Sequence, residues 1–132
     1  ISTAEAVKRA LLAAKGIAFS NSASGVYLLG LFERMGIAEE MRAKRVETTP
    51  GPSGAVVARG DAELAFQQVS ELLPVEGIDF LGPLPDEIQQ ATIFAAGIPA
   101  TTQHLDAARA LLDYLSAPAA APAIIASGME PG

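Results

Sequence analysis

Ile17-Ala18-Phe19-Ser20-Asn21-Ser22-Ala23-Ser24-Gly25-Val26 decides the fold. Ile17-Ala18-Phe19 is a short apolar run that predicts a strand. Ser20 to Gly25 is a polar turn of small residues. Beyond it Val26, Leu29, Phe32 and Met35 recur at helical spacing, and the helix ends near Gly36. The same grammar returns downstream. Arg45 to Thr49 reads as a strand, Thr48-Thr49-Pro50-Gly51-Pro52-Ser53-Gly54 as its turn, and Ala55-Val56-Val57 as the start of a short helix stopped at Gly60. Leu64-Ala65-Phe66 is a further strand that delivers Gln67 and Gln68 at its carboxyl end. Strands alternating with helices predict an α/β class, with a mixed, mostly parallel sheet flanked by helices.

Working outward, Ser2-Thr3-Ala4-Glu5 has the spacing of a capping box, with Ser2 as the cap. Ala6, Val7, Ala10, Leu11 and Ala14 follow as one helical face, closed by Gly16. Ala38 to Ala43 predicts a charged short helix, and Val69 to Leu73 one helical turn before Pro74. Ile78-Asp79-Phe80-Leu81 and Ala91-Thr92-Ile93-Phe94-Ala95-Ala96 read as strands, the first broken by Gly82-Pro83-Leu84-Pro85. Past Gly97-Ile98-Pro99 the pattern is helical only. Leu105, Ala108, Leu111, Leu112 and Leu115 form one stripe, and Ser116 is expected to cap a last helix containing Ala119 to Ala126, ended by Gly128.

Composition narrows the function. The 132 residues are 50% apolar and 18% charged, enough apolar material for a core. Nine basic against fifteen acidic residues leave a net charge of −6, which disfavours nucleic acid and anionic lipid as partners. With no cysteine there is no disulfide, thiolate metal site or thiol nucleophile; a single histidine excludes a multi-histidine metal site. No apolar run reaches the ~18 residues of a membrane span, so no membrane insertion is expected. The first helix opens without a leader pattern, as in a cytosolic or a processed chain.

Catalytic constellations are sparse. His104 lies at a helix start beside Asp106 and reads as a solvated cap, with no placed serine to complete a triad. Glu39-Glu40 lie on a charged helix, and Glu71 and Glu76 are separated by Pro74, so neither pair aligns two carboxylates. With no base–nucleophile pair and no nucleotide-binding motif, a chain that is not an enzyme is expected; a hydrolase using Glu71 or His104 and a purely structural, oligomerising domain are the alternatives. The two turns are the richer feature. Helix N-termini present unpaired N–H groups and positive partial charge, and small residues let a ligand approach them. Ser22 and Ser24 add hydroxyls, the proline-rich turn adds Gly51 and Ser53, and Gln67 and Gln68 leave their strand at the expected same edge. These residues form a candidate cradle for a small anion, with no cofactor and no metal. The cations nearest in sequence, Lys15, Arg34, Arg45 and Arg59, are expected to lie off both turns.

The order of Gly16-Ile17-Ala18-Phe19, Ser22-Ala23-Ser24-Gly25-Val26-Tyr27, Val57 to Phe66, Gly82-Pro83-Leu84-Pro85, Ala95-Ala96-Gly97 and the run from Asp106 to Pro131 resembles the C-terminal part of type-2 periplasmic solute-binding proteins, most closely the molybdate-binding-like receptors of ABC transporters. That resemblance implies one α/β lobe over residues 1–97, with residues 98–132 as C-terminal helices that pack on a first lobe having no counterpart here. It implies a periplasmic location, an ABC permease as partner, and a ligand held by N–H groups at Ala23, Ser24 and Gly25, by the Gly51–Ser53 region and by Gln68. The strand-end position is tyrosine in many molybdate binders and Gln68 here. An amide both donates and accepts, so an organic carboxylate fits as well as a molybdate-like oxyanion. Apolar C-terminal helices without their lobe imply a homodimer, formed by exchange of those helices.

Overall fold

Ile17–Phe19 is the middle strand, β1, of a three-stranded sheet ordered β2-β1-β3, where β2 is Arg45–Val46 and β3 is Leu64–Phe66. Both pairings are parallel: Ile17 stands opposite Arg45 on one side and Leu64 on the other, and Phe19 opposite Phe66. The computed structural model describes residues 1–48 and 51–132; the expected end of the second strand at Thr49 and the turn residue Pro50 lie outside the described residues. The α/β class is as the sequence predicts, and the sheet is parallel throughout the described residues.

Strand alternation distributes β1 between two layers. Ile17 and Phe19 enter a cluster with Val7, Leu11, Leu28, Leu31, Phe32, Ile37 and Met41. Those residues come from α1 (Ala4–Ala13), α2 (Ala23–Arg34) and α3 (Ala38–Ala43) with the turns beside them. Ala18 points the other way, to Val56 of α4 (Ser53–Ala58) and Ala62. Helices thus cover both faces, and β1 is buried along its whole length. A near-continuous apolar strand is what a doubly covered parallel sheet requires.

The ends of α1 show how local polar groups fix the layer. Thr3, not Ser2, is the N-cap: its hydroxyl accepts from Ala6 N at 3.1 Å. The helix starts one residue later than the capping-box spacing predicts, and Glu87 from a distant turn accepts from the N–H of its first residue, Ala4. At the other end Lys44 Nζ donates to the carbonyls of Leu11 and Leu12 at 3.4 and 2.6 Å, a cation at the negative end of the helix dipole.

After β3 the chain makes α5 (Val69–Leu72) and later a 3-10 turn at Asp86–Ile88. Leu84 and Ile88 pack on the larger cluster, and Tyr27 Oη donates to Ile88 O at 2.6 Å. Ile78–Leu81 and Ala91–Ala96 are not strands, contrary to expectation. Their apolar character is real, but a strand also needs a neighbour to complete its ladder; neither segment has one among the described residues. Ile93 is 91% exposed and Phe94 64%.

Two units are distinguished by their internal contacts, Ile1–Ala91 and Thr92–Gly132. The second contains α6 (Leu105–Ser116), a 3-10 turn at Pro118–Ala120 and α7 (Ala121–Ala126). Ser116 does not cap the last helix; it closes α6, and its hydroxyl donates back to Leu112 O at 2.9 Å. Leu105, Leu111, Leu115 and Ile125 are exposed. Among the described residues no helix is long and apolar enough to cross a membrane.

Candidate functional site

Parallel pairing sends the carboxyl ends of all three strands to one edge. The order β2-β1-β3 also creates a switch point: the chain leaves β1 toward β2 on one side, then crosses to β3 on the other. Ligands of open α/β sheets sit in the crevice at such a point. The turn after β1, Ser20 to Ala23, and the residues after β3, Gln67 and Gln68, follow strand ends at this edge.

The serine turn is held by a chain of hydroxyls. Ser20 Oγ lies 2.6 Å from Ser22 Oγ, which lies 3.2 Å from Ser24 Oγ, and Ser22 N donates to Ser20 Oγ at 3.3 Å. Three hydroxyls carry three protons, and two hydrogen bonds within the chain use two of them. One O–H is left to donate outward. Ser22 is the N-cap of α2 by position, yet its side chain caps no helix N–H. The first N–H groups of α2, on Ala23, Ser24 and Gly25, have no acceptor within the helix. The hydroxyls and the N–H groups therefore form one donor surface on a twelve-residue helix.

Gly25 makes this arrangement possible. A Cβ there would overlap the Ser20 carbonyl oxygen outright and stand 2.8 Å from the carbonyl carbon. Only a bare Cα lets the turn fold back this closely over the first turn of the helix.

The second wall is braced from within. Ser53 is fully buried; its N–H donates to Gln67 Oε1 at 2.8 Å, and its hydroxyl reaches Phe66 O at 3.0 Å and Gln67 Oε1 at 2.8 Å. Ser53 and Gln67 thus tie α4 to the end of β3, and Gln67 keeps its NH2 group without a protein acceptor among the described residues. Gln68 is half-buried at the N-cap position of α5, and Gly51 is exposed with φ 120°. Ser53→Ala deletes the hydroxyl without adding bulk at this buried position. Left with an unmatched Phe66 carbonyl, the protein should lose about 1–3 kcal/mol of stability, measurable by urea denaturation.

The expectation that all nearby cations lie off the turns does not hold for Arg45. Its guanidinium NH2 donates to Asn21 Oδ1 at 2.5 Å and Phe19 O at 3.4 Å, and its carbon stands 4.5 Å from the Phe19 ring centroid. Twenty-odd residues separate Arg45 from the turn in sequence, but the β1–β2 register makes them neighbours. Ser20, Asn21 and Arg45 are the members of this edge that sequence reading missed; an arginine opening the strand beside β1 was the available signal. Arg34 instead stacks on Tyr27 at 5.4 Å, and Arg59 pairs with Asp61 at 3.1 Å. His104 is exposed at the start of α6, and Glu71 is exposed on α5. Among the described residues no cluster of His, Asp and Glu could hold a metal.

Comparison with known proteins places this geometry. The chain is 48% identical over 132 residues to the aconitate isomerase of Pseudomonas sp, an alignment covering 99% of this chain and 50% of that protein. The chain thus spans about half the length of that relative. An isomerase is an enzyme, and this likeness overturns the expectation of a non-enzymatic chain. The physical reason is that isomerisation involves one substrate and no acylated or phosphorylated nucleophile, so the absence of a base–nucleophile pair does not argue against it. No solved structure gives a significant match. A family model described as bacterial extracellular solute-binding protein matches residues 1–130. With this match and its parallel sheet covered by helices on both faces, the chain belongs to the bacterial extracellular solute-binding proteins.

Proposed function

We propose that this chain supplies the carboxylate-holding wall of an enzyme that isomerises aconitate or a closely similar unsaturated tricarboxylate. The observation that carries the reading is the Ser20–Ser22–Ser24 hydroxyl chain set against the open N-terminus of α2, in a chain so similar to a protein named aconitate isomerase. Aconitate carries three carboxylates about one double bond. Each carboxylate oxygen accepts hydrogen bonds and donates none when ionised. A surface built of O–H, backbone N–H and the Gln67 and Gln68 amides matches that demand without a metal. Ser22, Ser24 and the N–H groups of Ala23 and Gly25 face one carboxylate. Gln68 and the NH2 of Gln67 reach toward another, while Gly51 gives the chain its turn into α4 and Ser53 braces it.

The test uses full-length protein. Aconitate of one geometry is supplied and the appearance of the other is followed by proton resonance. Tricarballylate, the saturated analogue, is added in a thermal melt. Conversion is expected, and tricarballylate at a hundred times its dissociation constant adds about 2.7 kcal/mol of stability. Molybdate at the same concentration leaves the melt unchanged. Ala23→Pro removes one N–H at the helix position where proline is best tolerated. It should leave the fold intact and weaken tricarballylate about tenfold or more, the worth of one charged hydrogen bond. Absence of both conversion and a tricarballylate shift in the unaltered protein overturns the reading.

The family description favours a second reading, in which the bound carboxylate is handed to an ABC permease in the periplasm. Loss of carboxylate uptake on deletion of the gene, with isomerisation undetectable, would select it. Pairing of two chains through α6 and α7 has in its favour the exposure of Leu105, Leu111, Leu115 and Ile125; light scattering measures it directly.

A further inference from the structure

We propose that Arg45 is a positioning residue that holds the serine turn and makes the site discriminate ligands by charge; this rests on the carboxylate reading above. Arg45 begins β2 opposite Ile17, yet its guanidinium reaches past Phe19 to the turn itself. There it donates to two neutral oxygens, Phe19 O and Asn21 Oδ1. Among the described residues no carboxylate forms an ion pair with it, although the protein pairs Arg42 with Glu33 and Glu39 and Arg59 with Asp61. Its Nε is buried and has no hydrogen-bond partner among the described residues. A guanidinium that loses water and gains only neutral acceptors keeps an unbalanced positive charge. Arg45 also stands over the Phe19 ring, 4.5 Å from its centroid, so the charge has a fixed address.

That address is beside the serine turn. Asn21 joins Ser20 to Ser22, so the arginine holds the side chain of the residue between the first two hydroxyls and, through Phe19 O, the backbone just before the turn. Its Nε is buried and its contact with Phe19 O is half-buried, so the charge stays fixed at the turn and its field acts on the total charge of a ligand there. A ligand bearing three negative charges gains more from it than one bearing a single charge. Hydroxyls and N–H groups alone would treat each carboxylate alike. Arg45 therefore converts a general carboxylate cradle into one that prefers polycarboxylates.

The experiment compares dissociation constants of full-length protein for tricarballylate and for butyrate, in the wild type, Arg45→Gln and Arg45→Lys. Glutamine keeps amide donors for Asn21 and removes the charge; lysine keeps the charge without the planar fork. We expect Arg45→Gln to lower the ratio of tricarballylate to butyrate affinity about tenfold, or about 1.4 kcal/mol. Arg45→Lys should hold that ratio within about threefold while weakening both ligands together. Should Arg45→Gln not fold, Arg45→Met, which keeps an apolar stem across Phe19, serves as the neutral variant. An unchanged ratio in the neutral variant overturns the inference, as does a ratio falling equally in lysine and glutamine. Failure of the wild type to bind either carboxylate instead overturns the functional reading, so the two failures are told apart.

Discussion

Gly25→Ala should give a protein that no longer folds its first strand–turn–helix unit natively. The added methyl meets backbone, the Ser20 carbonyl, and not the yielding tip of a side chain. Relief requires either moving α2 away from β1 or unfolding the Ser20–Ser22 turn. The first option opens the packing of Leu28, Leu31 and Phe32 on Ile17 and Phe19; the second breaks the hydroxyl chain. Overpacking of cores commonly costs about 1–3 kcal/mol, and a backbone obstacle belongs at or beyond the upper end. Against a typical stability of about 5–15 kcal/mol that is a large share. Chemical denaturation measures it, and the ligand response separates the two routes. A variant that melts early yet binds tricarballylate normally has moved the helix and kept the turn. A variant with wild-type stability would show that the close approach of turn and helix is wrong.

Phe19→Ala should be comparably severe and should also reach the site. The ring is buried, meets Phe32 edge to face at 5.7 Å and 73°, and carries the Arg45 guanidinium on its face. Truncation of a buried phenylalanine costs about 3–5 kcal/mol through lost transfer energy and the cavity left behind. Phe19→Leu refills most of that volume and should recover much of the stability. It does not restore a π face under the arginine. If Arg45 is held as described, Phe19→Leu weakens tricarballylate more than it lowers the melting temperature would suggest, whereas Phe32→Leu changes stability alone. Equal ligand affinity in the two leucine variants would remove Phe19 from the support of the turn.

Much of the lobe was legible in sequence because its signals are local. Ile17-Ala18-Phe19 between a helix-ending Gly16 and a polar turn reads as a short strand, Leu64–Phe66 repeats the pattern, and Gly36 and Gly60 stop their helices with positive φ. What escaped depended on distant partners. Ser2 and Thr3 are both competent caps by local spacing, and the Glu87 carboxylate that meets the first N–H of the helix comes from a distance no local window contains. Ile78–Leu81 and Ala91–Ala96 carry strand composition, but composition does not specify a neighbouring edge. At the site, the serine turn, Gly51–Ser53 and Gln67–Gln68 were visible as strand-end residues. The internal bracing of Ser53 by Gln67 and the arrival of Arg45 were not, since both follow from pairing register. The likeness to an enzyme left no motif in the sequence that reading could find.

The middle strand of the sheet is also the first along the chain. During synthesis β1 emerges ahead of both of its flanks, so each later strand docks onto an edge already exposed, first on one side and then on the other. Among these three described strands, no completed ladder has to be prised apart to admit a latecomer. Growth outward from a seed in this way keeps the nascent chain from passing through a paired but wrongly ordered sheet, one of the traps that slow the maturation of parallel architectures.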